Sequence, residues 1–387
     1  MASTNDAAWR SDLDTLTREL PRRHVNPFFR ISAAEFESAS AALRDDIPAL
    51  TDAQVAVRVM QLVALLGDSH TTVGGWSFVR LPIGVYWFDD GIYVTAATAA
   101  NADLIGTRVV AVGGTAALDV MQRVATLFAH ENDSWLRQKA PSFFVAPEVL
   151  QALGITDDPQ AATFTFERGD GTRFERTLRA MLIPSGFVQP PATFAQSRPQ
   201  PNYWSAYLAA QRTLYIRYNR CANDPAKPFD AFVREAFANA PIERLIIDLR
   251  ENPGGNSAVL APLIGAIQSS PALNRADRLF VLIGRATFSS AMLNALDLDR
   301  QTNATLVGEP TGGKPNAYGE ILNFALPNSR LTIFYSTKYF ALMPGSDPPS
   351  VDPEVRLSVF ASPYFGGFDP TLDSVLPKSG KRRSARH

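Results

Sequence analysis

Three features of the sequence predict an α/β protein: short unbroken apolar strands that each end in a glycine- or serine-bearing turn, a helical segment well ahead of them, and a β-rich segment between. Leu245-Ile246-Ile247 is long enough for a strand buried on both faces and too short for a helix, and Asn252-Pro253-Gly254-Gly255 breaks it. A second strand, Leu279 to Ile283, runs into Thr287-Phe288-Ser289-Ser290-Ala291 and a helix. A third, Ala304 to Val307, runs into Gly308-Glu309-Pro310-Thr311-Gly312-Gly313-Lys314. Three such units in a row put three turns on one edge of a sheet.

In chain order, residues 1–75 read as a helical bundle. Ser32 and Glu35 have capping-box spacing, and Thr51 to Gln54 introduces an apolar helix from Val55 to Leu66. That helix ends at Gly67-Asp68-Ser69-His70. Residues 76–183 alternate strand and turn signals, with Gly169-Asp170-Gly171 as a hairpin turn and helices expected over Ala117 to Phe128 and Pro147 to Leu153. Residues 184–201 are proline-rich and read as a linker into an α/β core over 202–365, where Leu214 to Tyr218 opens the sheet and Phe229 to Ala238 makes its first crossover helix. Residues 366–387 end in a basic run, expected to be a disordered tail.

With 387 residues, 46% of them hydrophobic, the chain has material for two or three domains. A formal net charge of −1 gives no reason to expect nucleic acid as a partner. Cys221 is the single cysteine, so no disulfide forms within the chain, and no catalytic cysteine signature surrounds it. No histidine pair or cysteine cluster has metal-ligand spacing, so neither a metal nor an organic cofactor is expected. The polar start Met1-Ala2-Ser3-Thr4-Asn5-Asp6 shows no leader, and no stretch of ~20 apolar residues would span a membrane. The expectation is cytoplasmic, or periplasmic or secreted if a leader has been removed.

Two glycines between a buried strand and a helix N-terminus leave backbone N–H groups bare and biased toward negative charge, the shape of an oxyanion hole. Locally that pattern serves equally as a plain strand-to-helix connection. The combination Asp248-Leu249-Arg250-Glu251-Asn252-Pro253-Gly254-Gly255, then Phe288-Ser289-Ser290-Ala291, then Gly308-Glu309-Pro310-Thr311-Gly312-Gly313-Lys314 resembles the tail-specific, or C-terminal-processing, serine peptidase superfamily. The tricorn core and the interphotoreceptor retinoid-binding protein belong to that superfamily too. The resemblance covers about 202–357 well and the first 75 residues more weakly. It implies a crotonase-like (ClpP-like) core, a PDZ-like role for 76–183, and a peptide or protein substrate.

It also assigns roles. Ser289, 25 positions before Lys314, has the family spacing for the nucleophile, and Ser290 is one short. The oxyanion donors would be the N–H groups of Gly254 and Ser290. A serine hydroxyl needs a base, and two are available. Lys314 matches the base of the processing peptidases, but the glutamine that supports it there is absent. Ser69-His70 matches the histidine position of the tricorn-like branch, and a histidine already titrates in a useful range. His70 is therefore the preferred base and Lys314 the alternative. His24 sits in a basic run, His130 follows a helical stretch and His387 is terminal. Asp347 and Glu320 are the candidates for the acid that orients the base. Asp248 and Arg250 read as a structural pair fixing the Gly254-Gly255 turn, with Ser69 as further support. The rival readings are a non-proteolytic binding protein, with Phe280, Phe288, Phe324 and Tyr335 around an apolar ligand, and an esterase on small acyl substrates.

Overall fold

The structure, a computed structural model, describes residues 5–181, 185–198, 200–238 and 241–377. The chain divides into two compact units: Met1–Pro190 with Pro315–Pro349, and Pro191–Lys314 with Ser350–His387.

The second unit is built on a six-stranded sheet. Its strands lie in the order Val355–Arg356, Thr305–Gly308, Leu279–Ile283, Arg244–Asp248, Thr213–Tyr218, Tyr203–Leu208. All neighbours are parallel except the last pair. Leu245, Ile246 and Ile247 are completely buried, as a central strand covered on both faces requires. The helices Phe229–Ala238, Ala261–Gln268 and Ser290–Gln301 connect successive parallel strands, so each strand's C-terminal turn lies at the same sheet edge. The sheet begins one strand earlier than expected, because Tyr203–Leu208 pairs antiparallel with Thr213–Tyr218.

Two expectations at the ends of this unit need correction. The stretch read as a linker is ordered where described: Phe194 packs edge-on against Tyr215 and Trp204. Residues 366–377 are not a loose tail either. Helix Pro370–Val375 buries Leu372 and Val375 against Tyr215, Ile246, Leu282 and Val307, an apolar contact that composition alone did not signal. The basic run 381–387, with His387, lies outside the described residues, as do Pro184 and Pro199.

In the first unit, helices Asp6–Arg23, Ala33–Asp46 and Asp52–Ala64 form the expected bundle. Ser32 with Glu35, and Thr51 with Gln54, make full capping boxes. The bundle packs on a hairpin, Asn316–Ala325 with Thr332–Ala341, which Thr72–Gly74 extends to three strands. Leu326, Leu331, Ile333 and Tyr335 share one buried cluster with Trp9, Leu13, Leu16, Phe36 and Val59. The core expected over 202–365 is therefore interrupted, because the apolar partners of 315–349 are the N-terminal helices.

The β-rich segment forms a second sheet in the order Ile83–Phe88, Gly91–Thr98, Arg108–Val112, Ala161–Glu167, Arg173–Arg179. Phe187–Val188, from the supposed linker, pairs with Gly91–Thr98. Bundle residues Val57 and Met60 sit in the same cluster as Phe164 and Phe166, so bundle and β-rich segment share a core. Helix Asp133–Phe144 was not foreseen; it carries Pro141 inside, which masks the helical pattern, although Asn132 caps it. Among the described residues no helix is long and apolar enough to cross a membrane.

Candidate active site

In the second unit, the turn after Arg244–Asp248 and the turn after Leu279–Ile283 interlock. Phe288 N–H donates to the Asn252 carbonyl at 3.1 Å, and the Thr287 hydroxyl donates to the Leu249 carbonyl at 2.8 Å. Ser289 follows at φ 51°, ψ −128°, a left-handed-side conformation that a serine adopts only when its surroundings impose it. It caps helix Ser290–Gln301, and its hydroxyl makes no cap hydrogen bond and has no other partner among the described residues. The neighbouring Ser290 hydroxyl is engaged, donating to the Gly255 carbonyl at 2.6 Å. Of the two hydroxyls, Ser289 is the one left available.

Gly254 lies directly beneath it. A Cβ on Gly254 would fall 2.8 Å from the Ser289 Cβ and 3.0 Å from the Ser290 nitrogen, and the residue sits at φ +110°, so only glycine fits. Its N–H, however, donates to the Asn252 side chain at 2.9 Å. This corrects the donor assignment: Gly254 provides closeness, and the N–H groups without an acceptor among the described residues are those of Gly255 and Ser290. Asn252 holds the turn from the other side, donating to the Tyr218 carbonyl at 2.8 Å.

Under the turn, Asp248 is fully buried and accepts from Tyr215, Arg217 and Arg250. Burial alone would raise its pKa; the charges of Arg217 and Arg250 outweigh that and hold it well below the usual carboxylate range. Arg250 also grips Asp369 with two bonds of 2.7 Å. These groups stiffen the turn and present nothing reactive. Cys221 is buried nearby, its thiol pushed up to about 12 by burial, far from thiolate character. Gly313 packs on the Ser289 backbone, where a Cβ would come within 3.2 Å of its nitrogen, and the next residue, Lys314, is buried.

His70 belongs to the first unit and is half-buried. Its backbone N–H donates to Asp68 Oδ1 at 3.0 Å, which fixes the backbone of the turn that carries it. Burial lowers the His70 pKa below the ordinary histidine value; the Asp68 charge and the Tyr318 backbone beside it oppose that without overcoming it. That direction favours the neutral imidazole, the form able to accept a proton. Ser69 donates to Glu131. Asp347 is exposed and accepts from Asn316 at 3.4 Å, and Glu320 is exposed on its strand at φ 57°. The carboxylate bonded to the His70 turn is Asp68, at the backbone N–H. Its signal was local, an aspartate two residues before the histidine. Glu131 and Tyr318 had none, being remote in sequence.

Phe324 and Tyr335 pack with the bundle, while Phe280 packs against the buried cluster of the second unit's sheet. Phe288 is buried in the turn before Ser289, in the same unit as Phe280.

Mature CPAF matches this chain with a TM-score of 0.67 at 15% sequence identity, covering 96% of this chain and 97% of that one. The chain has the fold of mature CPAF. Mature CPAF complexed with lactacystin matches with a TM-score of 0.65 at 15% identity, over 96% of this chain and 98% of that one. A photosystem II D1 C-terminal processing protease matches more loosely, with a TM-score of 0.40 at 14% identity over 92% and 94%. No family model and no curated protein matches the sequence.

Proposed function

We propose that the protein is a serine-type peptidase that cuts peptide bonds through an acyl-enzyme on Ser289. The observation that carries this reading is the backbone of Ser289, held at φ 51°, ψ −128° with an unengaged hydroxyl at a helix N-terminus over Gly254. Ser289 Oγ attacks the scissile carbonyl carbon while His70 takes its proton. The tetrahedral oxyanion is stabilised by the N–H groups of Gly255 and Ser290. Protonated His70 then gives its proton to the departing amine, leaving the acyl-enzyme. Water attacks the ester with His70 again as base, and the carboxylic acid leaves. The second unit serves as a crotonase-like core in this reading, and the β-rich part of the first as a PDZ-like module that receives the substrate chain.

A second base is favoured by one observation: Lys314 is buried and follows the glycine packed on Ser289. A Ser289–Lys314 pair is therefore the competing form of the same chemistry.

Labelling with a fluorophosphonate probe, followed by digestion of a peptide library, tests the reading. Wild type is expected to label and to cleave peptides, and Ser289→Ala to lose both, by on the order of a thousandfold or more in rate. Cleavage of small esters without peptides would mark an esterase, and labelling that survives Ser289→Ala would overturn the assignment. His70→Ala and Lys314→Ala, compared in the same assay, identify the base. Lactacystin, a ligand of mature CPAF, is the first inhibitor to try.

A further inference from the structure

Among the described residues, Asp68 accepts from the His70 backbone N–H and its charge acts on the imidazole, and the backbone of Tyr318 lies beside it. Both are held by one short segment from the end of the first helix. His24 Nε2 donates to Asp68 Oδ2 at 3.1 Å, with both side chains fully buried. Its other nitrogen, Nδ1, accepts from the Asn26 backbone N–H at 3.0 Å, which fixes the neutral tautomer with the proton on Nε2. Asn26 reaches the second group, its side chain donating to the Tyr318 hydroxyl at 2.8 Å. Val25 N–H donates to the Ser336 carbonyl at 3.1 Å, and the Ser336 hydroxyl donates to Asp68 at 2.6 Å. With Thr71 Oγ1 as a further donor, the Asp68 carboxylate is saturated.

We propose that His24 is a positioning residue for the reaction, acting on His70 through Asp68. A solvated aspartate in a loop would let the His70 turn relax. Here the carboxylate is anchored from three elements, and the Nε2–H of His24 is given to it. Among the described residues the charged groups around His70 and its turn are Asp68, the Glu131 bonded to Ser69, Arg30, whose side chain packs on Gly67, and, on the hairpin strands beside Tyr318, the exposed Glu320 and Lys338.

The inference rests on His70 being the base, so the test keeps the two apart. His24→Ala, His24→Gln, Asp68→Asn and His70→Ala are assayed for peptide cleavage across pH, with thermal melts of each. Gln carries an N–H near the place of Nε2 and lacks the ring. His24→Ala is expected to lower kcat roughly tenfold to a hundredfold with KM within about twofold. His24→Gln should recover most of that loss. Asp68→Asn keeps an oxygen for the His70 N–H and loses the charge, so the acid limb of kcat/KM should move to lower pH. If His24→Ala does not fold, Asp68→Asn carries the test, because a wild-type melt with an unmoved acid limb in that variant overturns the proposal. Wild-type kcat in a folded His24→Ala overturns it too. Full activity in His70→Ala would instead sink the choice of base, and the positioning claim with it.

Discussion

A serine at φ 51°, ψ −128° costs about 1–3 kcal/mol that the surrounding turns must supply. Ser289→Gly relieves that strain, so denaturant unfolding should show a gain of about 1 kcal/mol or more while peptide cleavage disappears. Gly254→Ala works in reverse: its φ of +110° and the 2.8 Å approach to Ser289 predict loss of both stability and fluorophosphonate labelling. The pH profile follows from His70. Its pKa is lowered from 6.5, and a base must be unprotonated, so kcat/KM should rise through a midpoint below pH 6.5 and then stay level. A midpoint above 7 would point to another base. Candidate residues were legible at this scale because Ser289, Gly254 and His70 sit in turns with local signatures. The engagement of the Gly254 N–H was not, since Asn252 reads equally well as a turn residue, and nothing in a basic run marks His24 as buried.

Helix Pro370–Val375 shows what element-level reading misses. Its six residues carry no strong periodicity, yet Leu372 and Val375 close one face of the sheet, and Asp369 at its N-cap holds Arg250. Asp369→Ala leaves Arg250 with a buried charge less well paired, and should cost about 3 kcal/mol, read as a lower melting temperature. The Asp248 partner adds an acid sensitivity with a definite sign. Its folded pKa lies below the 3.8 of a free aspartate, so its contribution is complete above that value and fades as pH falls toward the lower one. The long strands and capped helices were readable because 2-residue and 3.6-residue periods and Ser/Thr caps are local properties. Asp133–Phe144 was hidden by its internal proline, and Tyr203–Leu208 by the prolines just before it.

At the scale of the whole molecule, the sequence order and the packing order differ. Three turns at one sheet edge were readable from three consecutive motifs, but the return of residues 315–349 to the N-terminal helices was not, because nothing local says which apolar face a hairpin will cover. A chain ended after Pro190 would lack Leu326, Leu331, Ile333 and Tyr335 from the bundle's cluster. At roughly 1.5–3 kcal/mol each, that deficit rivals the whole stability of a domain, and such a fragment should show no cooperative melt. The bond from Ser336 to Asp68 spans 268 positions. During translation the turn that carries His70 therefore lacks this anchor until the strand bearing Ser336 has followed it out of the ribosome. This corner of the first unit is thus closed by a late arrival, and the order of synthesis is also the order in which it can set.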